Sequence, residues 1–253
     1  MTAGRRFWAR VQYDGTDFYG FQVQAHERTV QGEIEQSLLA VTEQEARVTG
    51  AGRTDRGVHA RGQVVTFDVA WKHSLFDLQR ALNARLATDV AVVGLGLARE
   101  GFHPRFSARS RRYRYTLLVQ PWPSPLARRT VWHVIQKLDV ERMIVASGLL
   151  LGTHDFASFG RPPVGTKTVR KVLTAEWERK PPFLAFEIEA NAFLYRMVRS
   201  IVGTLVQVGS GKLSVDEFQA IMRSADRSQA KWTAPAHGLC LMRVNYTILE
   251  GVM

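Results

Sequence analysis

The 253-residue sequence has one cysteine, Cys240, and no apolar run near the roughly 20 residues that a membrane-spanning helix needs. A single cysteine cannot form an internal disulfide, so we expect a small core residue in a reducing, cytoplasmic setting. The N-terminus leads into a strand pattern and not into the apolar core of a signal peptide. These shortages argue against a disulfide-rich scaffold, and we expect no association with membranes.

Signatures of metal and nucleotide sites are also missing. The seven histidines form no His-Glu-x-x-His spacing, and one cysteine cannot supply a Cys-x-x-Cys pair, so no metal site is predicted. Gly94-Leu95-Gly96 follows a strand pattern, but the third glycine of a dinucleotide fingerprint is absent. Gly209–Lys212 fails as a phosphate-binding loop because Leu213 replaces the required hydroxyl residue. We therefore expect no cofactor.

Positive charge is what the sequence has in excess. Lysine and arginine number 34 against 23 acidic residues, which gives a net charge of +11 and a pI of about 10.3. Such a charge predicts attraction to polyanions, of which nucleic acid is favoured over an anionic membrane. The alternative is a basic surface that binds nothing.

Hydrophobic periodicity and turn signals predict a similar order of elements twice along the chain, with one more helix in the second half. The first half contains strands at 7–13, 46–50, 63–69 and 90–97 and helices at 32–41 and 75–86. The second contains strands at 113–119, 168–177, 183–190 and 239–246 and helices at 140–151, 193–208 and 214–222. The pattern predicts an α+β fold of two ferredoxin-like halves, 1–105 and 106–253. We expect a mainly antiparallel central sheet with helices packed on it and an active-site cleft between the halves.

The loop 50–60, between two predicted strands, is rich in chemistry-bearing residues. Arg53 and Arg56 flank Asp55, and we expect their charges to keep that carboxylate ionised. Glycines in the loop allow close approach of a ligand. The alternative is a glycine-rich loop with a structural ion pair. His59 has no serine or cysteine nucleophile beside it, so we expect it to pack or hydrogen-bond within the loop.

Arginine and tyrosine alternate in the strand pattern Arg112-Tyr113-Arg114-Tyr115. Alternation places the tyrosines on one face of a sheet and the arginines on the other. Arginine binds phosphates and aromatic rings stack on unpaired bases, which is typical of a surface for looped or single-stranded nucleic acid. The alternative is that the tyrosines belong to the core and the arginines form a solvated face.

An otherwise apolar helix, predicted over 193–208, contains Arg199. An arginine close to buried faces requires a carboxylate partner. Asp55 is one candidate, and an acidic residue elsewhere in the chain is the alternative.

Four ordered segments resemble the tRNA pseudouridine synthase A family, and together they cover nearly the whole chain. They are Tyr13–Gln22, Gly52–Ala60, His103–Ala108 with Arg112–Tyr115, and Asn191–Gly203. The resemblance implies a homodimer that binds tRNA and isomerises uridines 38, 39 and 40 of the anticodon stem-loop without a cofactor.

The resemblance also implies roles for individual residues. Asp55 matches the catalytic carboxylate, Tyr113 the aromatic that stacks on the flipped base, and Arg199 the basic partner of Asp55. Arg53 matches an arginine that supports the flipped nucleotide. Three further arginines are expected to bind the substrate, namely Arg56, Arg112 and Arg114. Of these, Arg56 stands at a variable position of the motif.

The implied reaction breaks the N1–C1′ bond, turns the uracil and rejoins it through C5, which one carboxylate can support. Asp55 either attacks C1′ or removes the 2′-proton, and the sequence leaves both routes open. Two other functions stay open as well. A non-catalytic RNA-binding protein would use the same basic surface, and a nuclease or phosphotransferase would use Asp55, although a lone carboxylate suits two-metal chemistry poorly.

Overall fold

The computed structural model describes residues 4–162 and 165–247. Ten strands form within these ranges: β1 (Arg5–Tyr13), β2 (Thr49–Gly50), β3 (His59–Val69), β4 (Val90–Leu97), β5 (Ser110–Val119), β6 (Trp132–Val134), β7 (Gly152–Asp155), β8 (Val169–Lys180), β9 (Phe183–Ala190) and β10 (Leu239–Asn245). The five helices are α1 (Val30–Thr42), α2 (Leu75–Arg85), α3 (Val140–Gly148), α4 (Met197–Gly209) and α5 (Val215–Ser224). This mixed, mainly antiparallel architecture confirms the predicted fold class.

The chain divides into two compact units, Met1–Arg109 together with Leu241–Met253, and Ser110–Cys240. The first will be called unit 1 and the second unit 2. The predicted division after residue 105 followed chain order, whereas unit 1 also takes residues from the C-terminal end of the chain. Two domains at 1–105 and 106–253 stay a prediction.

Unit 1 is built on an antiparallel sheet in which β1 lies between β3 and β4, and β10 lies beyond β3. A stacked pair of rings, Phe7 and Phe67, lies in its core with centroids 5.7 Å apart. Helix α2 packs against α1 and β4. Both helices begin at a side-chain cap, Thr29 for α1 and Ser74 for α2, which fixes where each one starts.

Unit 2 has the strand order β5-β9-β8-β7, all antiparallel, and β6 adds to β5 in parallel. Helices α3, α4 and α5 pack against one another. Helix α4 is buried on nearly every side, as its apolar sequence predicted. The predicted capping box at Ser214 and Glu217 is present at the start of α5.

Two element starts near the predicted site residues, and the burial of Cys240, differ from the sequence prediction. Strand β3 begins at His59 and not at residue 63, so it takes up the end of the predicted loop. Helix α4 begins at Met197 and not at 193, because Arg196 adopts a left-handed backbone with φ of 62°. Cys240 is half-buried and not fully in the core. Within the described residues, no helix is long and apolar enough to cross a bilayer.

Candidate active site

The loop that carries Asp55 spans residues 51–58 and connects β2 to β3. Its first amide, Ala51 N–H, donates to the Val64 carbonyl at 2.8 Å, which extends the contact between the loop and β3. At its other end, Val58 N–H donates to the Asp55 carbonyl at 3.1 Å and closes a turn. The loop is therefore hydrogen-bonded at both ends.

A second segment, residues 15–21, supports the middle of this loop. Phe21 N–H donates to the Thr54 carbonyl at 3.1 Å, and Gly57 N–H donates to the Phe18 carbonyl at 3.4 Å. The two backbones approach so closely at Gly20 that an added Cβ would lie 2.8 Å from the Thr54 carbonyl oxygen. Gly20 also has a φ of +97°, which favours glycine. The backbone on either side of Asp55 is thus fixed by an adjacent segment.

A buried polar network lies under the loop. The Tyr13 hydroxyl is 2.8 Å from Thr54 Oγ1. Gln63, which is fully buried, donates from Nε2 to the Gly52 carbonyl at 2.8 Å and to the Tyr13 hydroxyl at 3.5 Å. Thr54 is itself buried, while its neighbour Asp55 is half-buried. The network holds the residue before Asp55 against the sheet.

We expect Thr54→Val to destabilise the protein by about 1–3 kcal/mol, because it removes the hydroxyl partner of a buried tyrosine without changing side-chain shape. Thr54→Ser keeps the hydroxyl, so we expect it to lose much less stability. Urea denaturation of both variants measures the difference. If Thr54→Val is as stable as Thr54→Ser, the network contributes little.

His59 is buried at the start of β3, and its ring meets the turn that follows β1. Gly15 N–H donates to His59 Nδ1 at 3.0 Å, and Asp14 Oδ1 lies 3.1 Å from the same nitrogen. His59 therefore hydrogen-bonds within the support of the loop, which confirms the prediction made for it.

The two arginines beside Asp55 are both exposed. The Arg56 guanidinium lies over the Tyr19 ring, 3.9 Å from its centroid, in a cation–π contact. This contact joins the loop once more to residues 15–21. Arg53 is left at the surface of unit 1, accessible to a ligand.

In unit 2, Tyr113 lies on β5 opposite Ile188 of β9 and is 9% exposed. Its ring meets Phe193 edge-on, with centroids 5.0 Å apart. Tyr115 lies on the same face and is fully buried. The predicted alternation of β5 is therefore confirmed, and it makes Tyr115 a core residue.

Arg112 and Arg114 lie on the other face of β5, as predicted, and both form ion pairs. Arg112 Nε is 3.2 Å from Glu189 Oε2. Arg114 Nη2 is 2.8 Å from Glu187 Oε1 and also bonds Glu178. A phosphate at this face has to compete with these carboxylates, so binding of substrate by the two arginines stays a prediction.

Arg199 is half-buried in the first turn of α4. Its Nε donates to the Ala234 carbonyl at 2.8 Å, and Ala234 N–H donates back to the Arg199 carbonyl at 2.9 Å. The nearby Tyr115 hydroxyl donates to the Pro235 carbonyl at 2.8 Å, and burial raises the pKa of this phenol well above its usual range. Tyr115 therefore stays neutral. The two hydrogen bonds with Ala234 hold both the backbone and the side chain of Arg199 in place.

A family model described as tRNA pseudouridine synthase matches residues 9–106 and 146–247. The chain belongs to the tRNA pseudouridine synthase family. The matched segments contain Asp55 and Arg199, whereas Tyr113 lies between them. A pseudouridine synthase is an isomerase that acts on RNA. Among the described residues, no cluster of three or more histidine, cysteine or acidic side chains is placed to hold a metal ion.

Proteins named tRNA pseudouridine synthase A are similar to this synthase over most of its length. The one from Chloroflexus aurantiacus is 48% identical over 243 residues, which is 93% of this chain and 87% of the relative. Those from Thermoanaerobacter sp. and Halalkalibacterium halodurans are 42% and 44% identical, covering 93% and 96% of this chain and 97% and 93% of the relatives.

Among solved structures, an archaeal box H/ACA sRNP Nop10–Cbf5 complex matches at 12% identity with a TM-score of 0.34. The match covers 91% of this chain and 59% of that chain. This synthase thus spans less than two thirds of the matched chain. A TM-score this low supports no inference about the synthase from that structure.

The sequence pointed to Asp55, Tyr113 and Arg199 but missed the residues that hold the loop. Tyr13, Thr54 and Gln63 form that support, and none was singled out for a role. One signal was present, because Gln63 is a polar residue at the head of the apolar run Val64-Val65. A polar side chain in such a strand requires a buried hydrogen-bond partner.

Proposed function

We propose that this tRNA pseudouridine synthase converts uridines 38, 39 and 40 of the tRNA anticodon stem-loop to pseudouridine. It acts as a cytoplasmic homodimer without a cofactor, and Asp55 is its catalytic carboxylate. The observation that carries the proposal is the fixed backbone around Asp55, whose neighbours Thr54 and Gly57 are each bonded to residues 18–21. A catalytic group needs such a rigid support to meet its target in one geometry.

The reaction breaks the N1–C1′ bond and forms a C5–C1′ bond, after which the C5 proton passes to solvent and N1 takes up a proton. An ionised carboxylate suits the first step by either of two routes, attack on C1′ or removal of the 2′-proton. Arg199, with its stem bonded to Ala234, is the proposed cation that keeps Asp55 ionised. A positive charge close to a carboxyl lowers its pKa.

The target uridine must leave its stack to be reached, at a cost of a few kcal/mol. Tyr113 is the proposed platform for the flipped base, since an aromatic face recovers roughly 1–3 kcal/mol per stacked base. The edge-on contact with Phe193 holds the Tyr113 ring in one orientation. Arg53 is the proposed support of the flipped nucleotide, and Arg56, Arg112 and Arg114 are proposed phosphate ligands.

Release of tritium from [5-³H]uridine tests this function directly. Anticodon stem-loops are prepared with labelled uridine at position 38, 39 or 40 alone, and a fourth RNA carries its label outside this region. We expect release from the first three, none from the fourth, and RNA of unchanged length. Binding without release would support a non-catalytic RNA-binding protein, and shortened RNA would support a nuclease.

We expect Tyr113→Phe to retain tRNA affinity, because the ring that stacks on the base is kept. Any step that passes a proton through the hydroxyl is lost, so single-turnover tritium release should fall by about 10²-fold or more. Tyr113→Leu removes the ring as well and should also weaken binding. An unchanged rate for Tyr113→Phe would reduce Tyr113 to a platform.

A further inference from the structure

Three arginines of unit 2 converge where α4 begins. Arg161 and Arg196 are exposed and Arg227 is half-buried. These three residues are called the arginine cluster. The backbone brings the first two together, since Tyr195 N–H donates to the Arg161 carbonyl at 2.8 Å. An added Cβ on Gly160 would lie 2.7 Å from the Tyr195 carbonyl oxygen, so the two segments are in direct contact.

Arg227 reaches the same place from beyond α5. Its Nη1 donates to the Ala230 carbonyl at 2.5 Å and, at 3.5 Å, to the carbonyl of Ser158. Burial lowers the pKa of Arg227, and the positive charges of Arg161 and Arg196 lower it further. The positive charges of Arg161 and Arg196 therefore act on Arg227.

The arginine cluster differs from several other arginines of unit 2. Arg112, Arg114 and Arg179 each pair with a glutamate. In the part of the chain that the structure describes, no ion pair joins the arginine cluster to a carboxylate. Like charges held together without an acidic partner are unfavourable unless an anion from outside the chain neutralises them.

The start of α4 adds to this positive potential. Arg196 is its N-cap in a left-handed conformation, no side chain caps the helix, and its first turn contains no acidic residue. Helix N-termini favour anions, and phosphates in particular. Tyr195 is half exposed, and the Arg196 guanidinium lies 5.0 Å from the centroid of its ring.

We propose that the arginine cluster binds a backbone phosphate of the RNA substrate. The inference rests on the proposed function, and it places this phosphate close to the target uridine. Arg196 is the N-cap residue of α4, and Arg199, the proposed partner of Asp55, lies in the first turn of the same helix. The bound phosphate therefore belongs to the flipped nucleotide or to one beside it.

The test compares Arg161→Gln, Arg196→Gln and the double variant with wild type in tRNA binding between 50 and 300 mM KCl. We expect each single variant to bind on the order of fivefold more weakly at 100 mM KCl and to lower the slope of log Kd against log salt by about 0.7–0.9. Arg196→Lys keeps the charge and should keep the slope. Arg80→Gln removes an exposed arginine of α2 that pairs with Asp77, and it should change neither quantity.

A stem-loop with one methylphosphonate linkage identifies the bound phosphate. Wild type should lose affinity when the neutral linkage lies next to the target uridine, and the double variant should show no further loss there. Adding excess inorganic phosphate should not reproduce the change in salt dependence that the variants show. Unchanged slopes in both single variants, with native circular dichroism spectra, would overturn the proposal. Tritium release by wild type is measured in parallel, so that a failure of the proposed function is seen separately.

Discussion

Asp55→Asn is expected to lower the rate of tritium release by at least about 10³-fold while tRNA affinity stays within about threefold of wild type. The amide keeps the size of the side chain but can neither attack carbon nor accept a proton at neutral pH. The backbone around Asp55 is fixed by main-chain hydrogen bonds of Thr54 and Gly57, which the substitution leaves in place. The loop should therefore keep its conformation in the variant, and the loss should fall on kcat.

Asp68→Asn is the matched control for this variant. Asp68 lies on β3, the strand that follows the loop, and pairs with Arg6 at 2.9 Å with both side chains about half exposed. Its replacement should leave tritium release and affinity unchanged. Normal turnover by Asp55→Asn would refute the central assignment, and equal losses in both variants would point to a general effect of carboxylate removal.

Gly15→Ala is expected to have the largest structural effect of any glycine-to-alanine substitution in unit 1. A Cβ at this position would lie 2.1 Å from the Val58 carbonyl oxygen, and the obstacle is backbone that no rotamer change can clear. Overpacking of this kind costs about 1–3 kcal/mol, and with about 2–4 °C per kcal/mol for a chain of this size Tm should fall by roughly 2–12 °C. Because Val58 ends the loop of Asp55, a shift of about 1 Å there should also lower kcat by about 10²-fold.

Gly52→Ala provides the stability control within the same loop. Apart from its two chain neighbours, no heavy atom of residues 4–162 and 165–247 lies within 4 Å of a Cβ built on Gly52, and its φ is not in the left-handed region. Its Tm should match wild type. A Tm for Gly15→Ala equal to that of Gly52→Ala would show that the contact with Val58 is looser than the structure describes.

The fold was predictable wherever a signal was local. Ser74 and Ser214 marked helix starts because a cap is read within a few residues, and the alternation in β5 separated Tyr113 from Arg112. Strands β6 and β7 were missed because three or four residues give no alternation to read. The late start of α4 was missed because the left-handed backbone of Arg196 depends on contacts of its neighbours with residues 160–161.

The candidate site shows the same limit. Asp55 was found because glycines and arginines surround it in sequence, whereas its support joins residues far apart in the chain. Tyr13 and Thr54 are separated by 41 positions, and Tyr13 and Gln63 by 50. No local pattern encodes such contacts. Arg199 was expected close to buried faces because its helix is apolar, yet its hydrogen bond to Ala234 depends on a loop 35 residues away.

The bonds that tie residues 51–58 to β3 and to residues 18–21 also determine when this loop becomes ordered. Fixing a residue's backbone costs about 1–2 kcal/mol in conformational entropy, so ordering eight residues costs on the order of 10 kcal/mol. Here that entropy is lost when unit 1 folds and not when RNA arrives. In the proposed function, the free energy released by RNA contacts then remains available for unstacking the uridine, instead of being consumed in organising the loop that contains Asp55.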